Sequence, residues 1–153
     1  MKTVFNLLIS LFIISCNNES DPAPDIASKI EGVYLYELVD TAIGAPVHYS
    51  VNWTITRVTD NKINVKHNQS EWVENSAVIG SLGYTFKNIE ISKDGKFTID
   101  ETVNWSFSDP TAKSDMLING ELVGRNLDVN VKETTLEDND TVNTRFVLLR
   151  QSR

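Results

Sequence analysis

"VHYSVNWTITRV", residues 47–58, alternates apolar and polar side chains one for one as far as Thr56. Val47, Tyr49, Val51, Trp53 and Ile55 share one face, and His48, Ser50, Asn52, Thr54 and Thr56 share the other. Successive side chains of a strand point to opposite faces, so this stretch reads as a β-strand with one dry side and one wet side. "KFTIDETVNWSF" (96–107) repeats the pattern, setting Phe97, Ile99, Val103, Trp105 and Phe107 against Thr98, Asp100, Thr102, Asn104 and Ser106. "NLDVNVK" (126–132) sets Leu127, Val129 and Val131 opposite Asp128, Asn130 and Lys132. Alternation of this kind belongs to a mainly antiparallel sheet covered on one face only.

Short segments rich in Asp, Asn and Gly separate the runs: "TDNK" (59–62), "KDGK" (93–96) and "VGRN" (123–126). These are hairpin turns by composition. The pattern predicts strands over about 32–39, 47–58, 62–69, 84–91, 96–108, 115–123, 126–134 and 141–150. Only "DIASKIEG" (25–32) looks helical, as a turn or two before the first strand. No amphipathic helix alternates with the strands, which argues against a parallel α/β sheet. A sandwich needs long crossovers, whereas a meander of local hairpins closes into a barrel and loses its exposed edges. The expected fold is therefore an all-β, about eight-stranded antiparallel up-and-down barrel with a short N-terminal helix, over residues 26–153.

The chain has 153 residues and 41% hydrophobic content, enough for one domain with a core. Its net charge of −7, with no cluster of Lys and Arg to offset it, disfavours binding to a phosphate backbone. One cysteine cannot form an internal disulfide, and two histidines, His48 and His67, make a poor zinc set. No metal and no cofactor is expected.

The single cysteine, Cys16, stands where an apolar run ends. Lys2 gives a positive start, and Val4 to Ile14 is apolar apart from Asn6 and Ser10. This is the make-up of a secretory signal, too short to span a bilayer as a helix. Ile13-Ile14-Ser15-Cys16 resembles the lipobox of bacterial lipoproteins. The resemblance implies cleavage after residue 15, a diacylglyceryl group on the Cys16 sulfur and acylation of the new amino terminus. Residues 16–25, with Pro22, Pro24 and almost no apolar content, then read as a solvated tether. Such a protein would be held in the cell envelope, most simply at an outer membrane. Glu19 and Asp21 are similar to the acidic export signal of some surface lipoproteins, so the cell surface and the periplasmic face both stay open.

A short helix running into Gly32-Val33-Tyr34 resembles the opening Gly-x-Trp element of lipocalin-like (calycin) barrels, with Tyr34 in place of the Trp. The resemblance implies that an Arg of the last strand, Arg145 or Arg150, packs over that aromatic at the closed end. "INGELVGRNLDVNV" (118–131) is similar to a hairpin of small lipid-anchored proteins of that kind. The likeness implies a barrel that binds a small apolar or amphipathic molecule. Tyr49, Trp53, Phe97, Trp105 and Phe107, on the apolar faces, are the candidate ligand-facing residues. "VNWTI" (51–55) and "VNWSF" (103–107) echo each other, and convergence explains so short a repeat.

Other constellations are weak. His48 is on the polar face of its strand, and His67 shares the phase of Ile63 and Val65; both are expected as hydrogen-bonded surface or rim residues. Glu71 and Glu74 near Trp72 form the best carboxylate pair for a hydrolase, with a solvated loop the simpler reading. "LEDND" (136–140) lacks the ligand spacing of a calcium loop. Thr41 and Thr141 lie in Asp-Thr-apolar triplets that resemble a bacterial O-glycosylation acceptor. With no Gly-x-Ser-x-Gly elbow and no phosphate loop, a non-enzymatic role is expected. Two roles remain: a ligand-binding barrel, or a solid barrel that docks on or inhibits another envelope protein.

Overall fold

The computed structural model describes residues 25–41, 45–74, 78–104 and 111–152, with positions 78 and 79 described by backbone only. Helix α1 (Ile26–Ile30) precedes eight strands: β1 (Gly32–Asp40), β2 (Val47–Thr59), β3 (Lys62–Val73), β4 (Val78–Glu90), β5 (Lys96–Asn104), β6 (Lys113–Val123), β7 (Asn126–Thr135) and β8 (Thr141–Arg150). They are hydrogen-bonded in the order β4-β3-β2-β1-β8-β7-β6-β5, every pair antiparallel. First and last strands pair through Tyr34 with Arg150 and Leu35 with Leu149. The sheet thus curls into a nearly closed up-and-down barrel. Its seam lies between β4 and β5, the two ends of the order, which are bridged at Ile91 and Phe97.

One end is plugged by α1. Asp25 caps the helix by accepting the Ser28 N–H at 3.0 Å, which satisfies a donor that the first turn leaves open. Ile26, Ala27 and Ile30 are buried in the barrel core, and the Ala27 N–H donates to the Asp60 carbonyl in the β2–β3 turn. Because the strands alternate in direction, the β2–β3, β4–β5 and β6–β7 turns share this closed end with the close of β8. Two of those turns use glycine in the left-handed region, Gly95 at φ +79° and Gly124 at φ +63°, where a Cβ would be strained.

Gly120 is required for a different reason, close approach. It sits opposite Phe97 in the β5–β6 ladder, and the Phe97 ring lies over its Cα. A Cβ there would come within 2.6 Å of Phe97 Cε1. Phe97 is buried and packs against Trp53, with ring centroids 6.3 Å apart, so it has little room to yield. Gly120→Ala is expected to lower the unfolding free energy by about 1–3 kcal/mol, the usual cost of overpacking. Adding Phe97→Leu should recover part of that loss in urea titrations. An unchanged midpoint for Gly120→Ala alone would rule out the overlap.

The pattern misjudged two strand limits. β3 runs on to Val73 where 69 was expected, and β4 begins at Val78 where 84 was expected. Gln69, Ser70 and Glu71 are polar on both faces because this part of the barrel is wet inside and out, so alternation fails there. Gly80 and Gly83 further weaken the strand signal of β4. Trp72, expected in a polar loop, stands on β3 and stacks on His48 of β2 at 5.2 Å. A bulge also interrupts β4: Asn88 adopts φ +57°, its N–H donates to Asn64 Oδ1, and the register against β3 shifts. The shift lets Phe86 and Ile89, three residues apart, both point inward. The expected strand over 96–108 is described as far as Asn104; Trp105 and Phe107 lie outside the described residues, as do Cys16 and the whole of 1–24.

Candidate functional site

Exposure along the inward-facing positions of β1 and β8 rises from one end of the barrel to the other, whereas β6 and β7 stay buried as far as Ser114 (1%) and Glu133 (8%). On β1 it rises from 0% at Tyr34, through a half-buried Tyr36, to 48% at Leu38. On β8 it rises from 0% at Leu148, through a half-buried Phe146, to 58% at Val142. Side chains of equal apolarity therefore pass from dry to wet on the same face. Among the described residues the barrel is a cup, closed beside α1 and open at the far end along β1 and β8.

The closed end is built on Tyr34. Its hydroxyl donates to the Ile30 carbonyl at 2.7 Å, tying β1 to the helix just before it. The Arg150 guanidinium lies over the Tyr34 ring, 5.8 Å from the centroid, and donates to the carbonyls of Lys29 (2.9 Å) and Glu31. These carbonyls belong to the C-terminal end of α1, where a cation is favourable. Gly32 lets the guanidinium in: a Cβ there would be 3.0 Å from Arg150 Nε. Arg145, the other arginine considered for this position, forks onto Asp128 of the neighbouring strand, 3.0 Å from Nε, and holds the Asp128 carboxyl below its ordinary pKa.

Above the plug is a cavity of about 360 Å³. Among the described residues its wall is formed by Tyr36, Val51, Trp53, His67, Gln69, Met116, Ile118, Val131, Glu133, Val142, Thr144 and Phe146, from six strands. The wall is mostly apolar, with a few fixed polar groups, and its size falls at the small end of ligand pockets. Trp53 and His67 are opposite one another in the β2–β3 ladder, and His67 is opposite Tyr84 in the β3–β4 ladder. The Trp53 Nε1–H donates to His67 Nδ1 at 2.7 Å, while the Tyr84 ring stacks on the imidazole at 4.6 Å.

His67 is 5% exposed, and burial pushes its pKa down to about 4, opposed in part by the Gln69 side chain. It is neutral at pH 7. Since Nδ1 accepts from Trp53, the ring proton is on Nε2. That nitrogen is buried with no hydrogen-bond partner among the described residues, as is the Tyr84 hydroxyl. Glu133 is also buried; it accepts from the Ser114 hydroxyl at 2.9 Å, and burial raises its pKa. Burial, with Glu133 as a second cause, raises the Tyr84 phenol as well.

Of the residues expected to face a ligand, Trp53 lines the cavity. Phe97 packs below it in the core, and Tyr49 stands nearer the rim opposite Glu71. His67 departs from its expected place at the surface or rim, because it keeps the inward phase of Ile63 and Val65. Glu133 escaped notice altogether, although it continues the phase of Leu127, Val129 and Val131. Glu71 belongs to β3, while Glu74 lies in the turn beyond it, its N–H donating to the Pro46 carbonyl. In the 136–140 turn, the Asp138 carboxylate is engaged by Thr135 and by the Asp140 N–H. No group of three metal-ligating side chains occurs among the described residues. Thr41 and Thr141 are both exposed, Thr141 within 3.1 Å of the Thr134 hydroxyl.

No family model, curated protein or solved structure matches the chain. The geometry of the cup stands alone as the guide to function.

Proposed function

We propose that this chain is a non-enzymatic, lipid-anchored protein of a bacterial cell envelope that binds a small apolar or amphipathic ligand in its barrel, as lipocalin-like proteins do. The observation that carries the binding role is the open cup: apolar side chains on the inner face of β1 and β8 that are left exposed at the rim while the floor is sealed. A barrel serving only as a solid scaffold gains nothing from leaving Leu38 and Val142 in water. The anchoring role rests on the lipobox-like Ile13-Ile14-Ser15-Cys16.

Two measurements test the two parts. Small apolar probes added to the protein should change tryptophan emission saturably, because Trp53 is the described indole in the cavity wall and a bound probe displaces water beside it. Trp53→Phe should remove most of that change, with Trp72, on the outer face, responding little. The absence of any saturable response across apolar, anionic and cationic probes would reject the binding role. For the anchor, Cys16→Ser should move the protein from the membrane fraction to the soluble one. Retention after a high-salt wash would reject lipidation as the means of attachment.

A second reading has one observation in its favour. Val33, Val147 and Leu149 are exposed on the outer face of the paired β1 and β8, beside half-buried Leu35. An apolar strip of this kind suits docking on another envelope protein. Val147→Asp would abolish such docking without touching the cup.

A further inference from the structure

The polar groups set into the cavity wall restrict what the cup can hold. His67 is positioned on three sides: Trp53 holds Nδ1, Tyr84 stacks on the ring face, and β3 fixes the backbone. What is left is the Nε2–H, a buried donor that makes no well-formed hydrogen bond among the described residues, with the Gln69 side chain of the same wall as its one polar influence, on a side chain that lines the cavity. A buried donor left unpaired is costly, and a ligand oxygen that accepts from it recovers that cost. The acceptor has to be compatible with the rest of the wall. Glu133 lines the same cavity and is itself buried, with one of its carboxylate oxygens taken by Ser114. A second carboxylate beside it meets repulsion in a poorly solvated place. A cation would be drawn to Glu133, yet it brings only donors to a site whose histidine also donates. A hydroxyl suits both, since it can accept from a donor such as His67 and carries no charge to be repelled by Glu133.

We infer that the cup takes an uncharged hydroxyl-bearing amphiphile, its oxygen on His67 and its apolar tail toward the Leu38 and Val142 rim. This rests on the ligand-binding role proposed above and names the class of ligand. His67 sets the preference for an oxygen acceptor. Glu133 sets the preference against a carboxylate.

Calorimetric titration of the full chain carrying Cys16→Ser, with octanol, octanoate, octylammonium and xylene as probes, tests it. Octanol is expected to bind about tenfold more tightly than octanoate or octylammonium, the ratio that one unpaired buried polar group produces. His67→Phe should weaken octanol about tenfold and leave xylene unchanged, which also shows that the variant keeps its cup. Glu133→Gln should strengthen octanoate while changing octanol little, a result that general loss of packing cannot mimic. Xylene and all three octyl probes binding alike, unaffected by either substitution, would overturn the polar assignment and leave the binding role standing. Preference for octanoate or octylammonium would overturn the assignment of an uncharged ligand. No heat from any probe, xylene included, would overturn the binding role and this inference with it.

Discussion

Tyr34→Ala is expected to lower the unfolding free energy by about 3–5 kcal/mol, as large aromatic truncations in a core do. Tyr34 has no exposed surface and joins three parts of the closed end: the ladder to Trp53 on β2, the Ile30 carbonyl of α1, and the overlying Arg150 of β8. Removing the ring opens a void under the helix and leaves the guanidinium without its platform. Tyr34→Phe separates the contributions. It keeps the ring and the cation contact and deletes only the hydrogen bond to Ile30, for which about 1 kcal/mol is expected. Urea titration of the two variants measures both. A loss within about 0.5 kcal/mol for Tyr34→Ala would mean that the helix does not plug the barrel through this residue.

Stability should also fall in mild acid through His67. The unfolded chain takes up a proton at the ordinary imidazole pKa of 6.5, whereas the folded chain refuses it until about 4. The unfolded state therefore binds more protons throughout that interval, and stability declines as pH drops across it. The interval corresponds to roughly 3 kcal/mol, at 1.36 kcal/mol for each pH unit. The contribution is complete above the unfolded value and exhausted below the folded one. Glu133, whose pKa is raised, acts in the opposite sense and offsets part of the decline. Asp25, Asp128 and Asp138 have lowered values, so their losses come at still lower pH. His67→Gln, which offers Trp53 an alternative acceptor, should flatten the urea midpoint between pH about 7 and about 4.5. A wild-type midpoint that does not move over this range would mean that the imidazole reaches water.

The barrel was legible because its dry and wet faces differ in almost every strand. Residues 47–56 alternate without a fault, and Gly95 and Gly124 mark turns where the backbone needs them. Legibility failed where the two faces become alike. Near the rim, water reaches both sides of β3, so the sequence from Gln69 to Val73 lost its alternation and looked like a loop. At Asn88 a bulge altered the phase, which no period of two can express. The site was half visible for a related reason. Trp53 announced itself as a large apolar residue on the inner face. His67 and Glu133 occupy equally inward phases, but their polarity argued for the surface. Only the stacked Tyr84 and the hydrogen bonds from Trp53 and Ser114 explain how they are accommodated inside. Residue type outweighed phase in the reading, and the fold follows phase.

An even number of strands returns the chain to the side from which it started. Asp25 caps α1 beneath the barrel, and β8 ends there too, with the Gln151 N–H donating to the Val33 carbonyl. Anything that holds the molecule by residues upstream of Asp25 therefore grips it by its base. Pulled taut by such a leash, the cup stands upright like a goblet on its stem, its mouth turned away from whatever it is fastened to. Given the proposed anchor and ligand, the ligand would be received from, and handed back to, the side opposite the anchor.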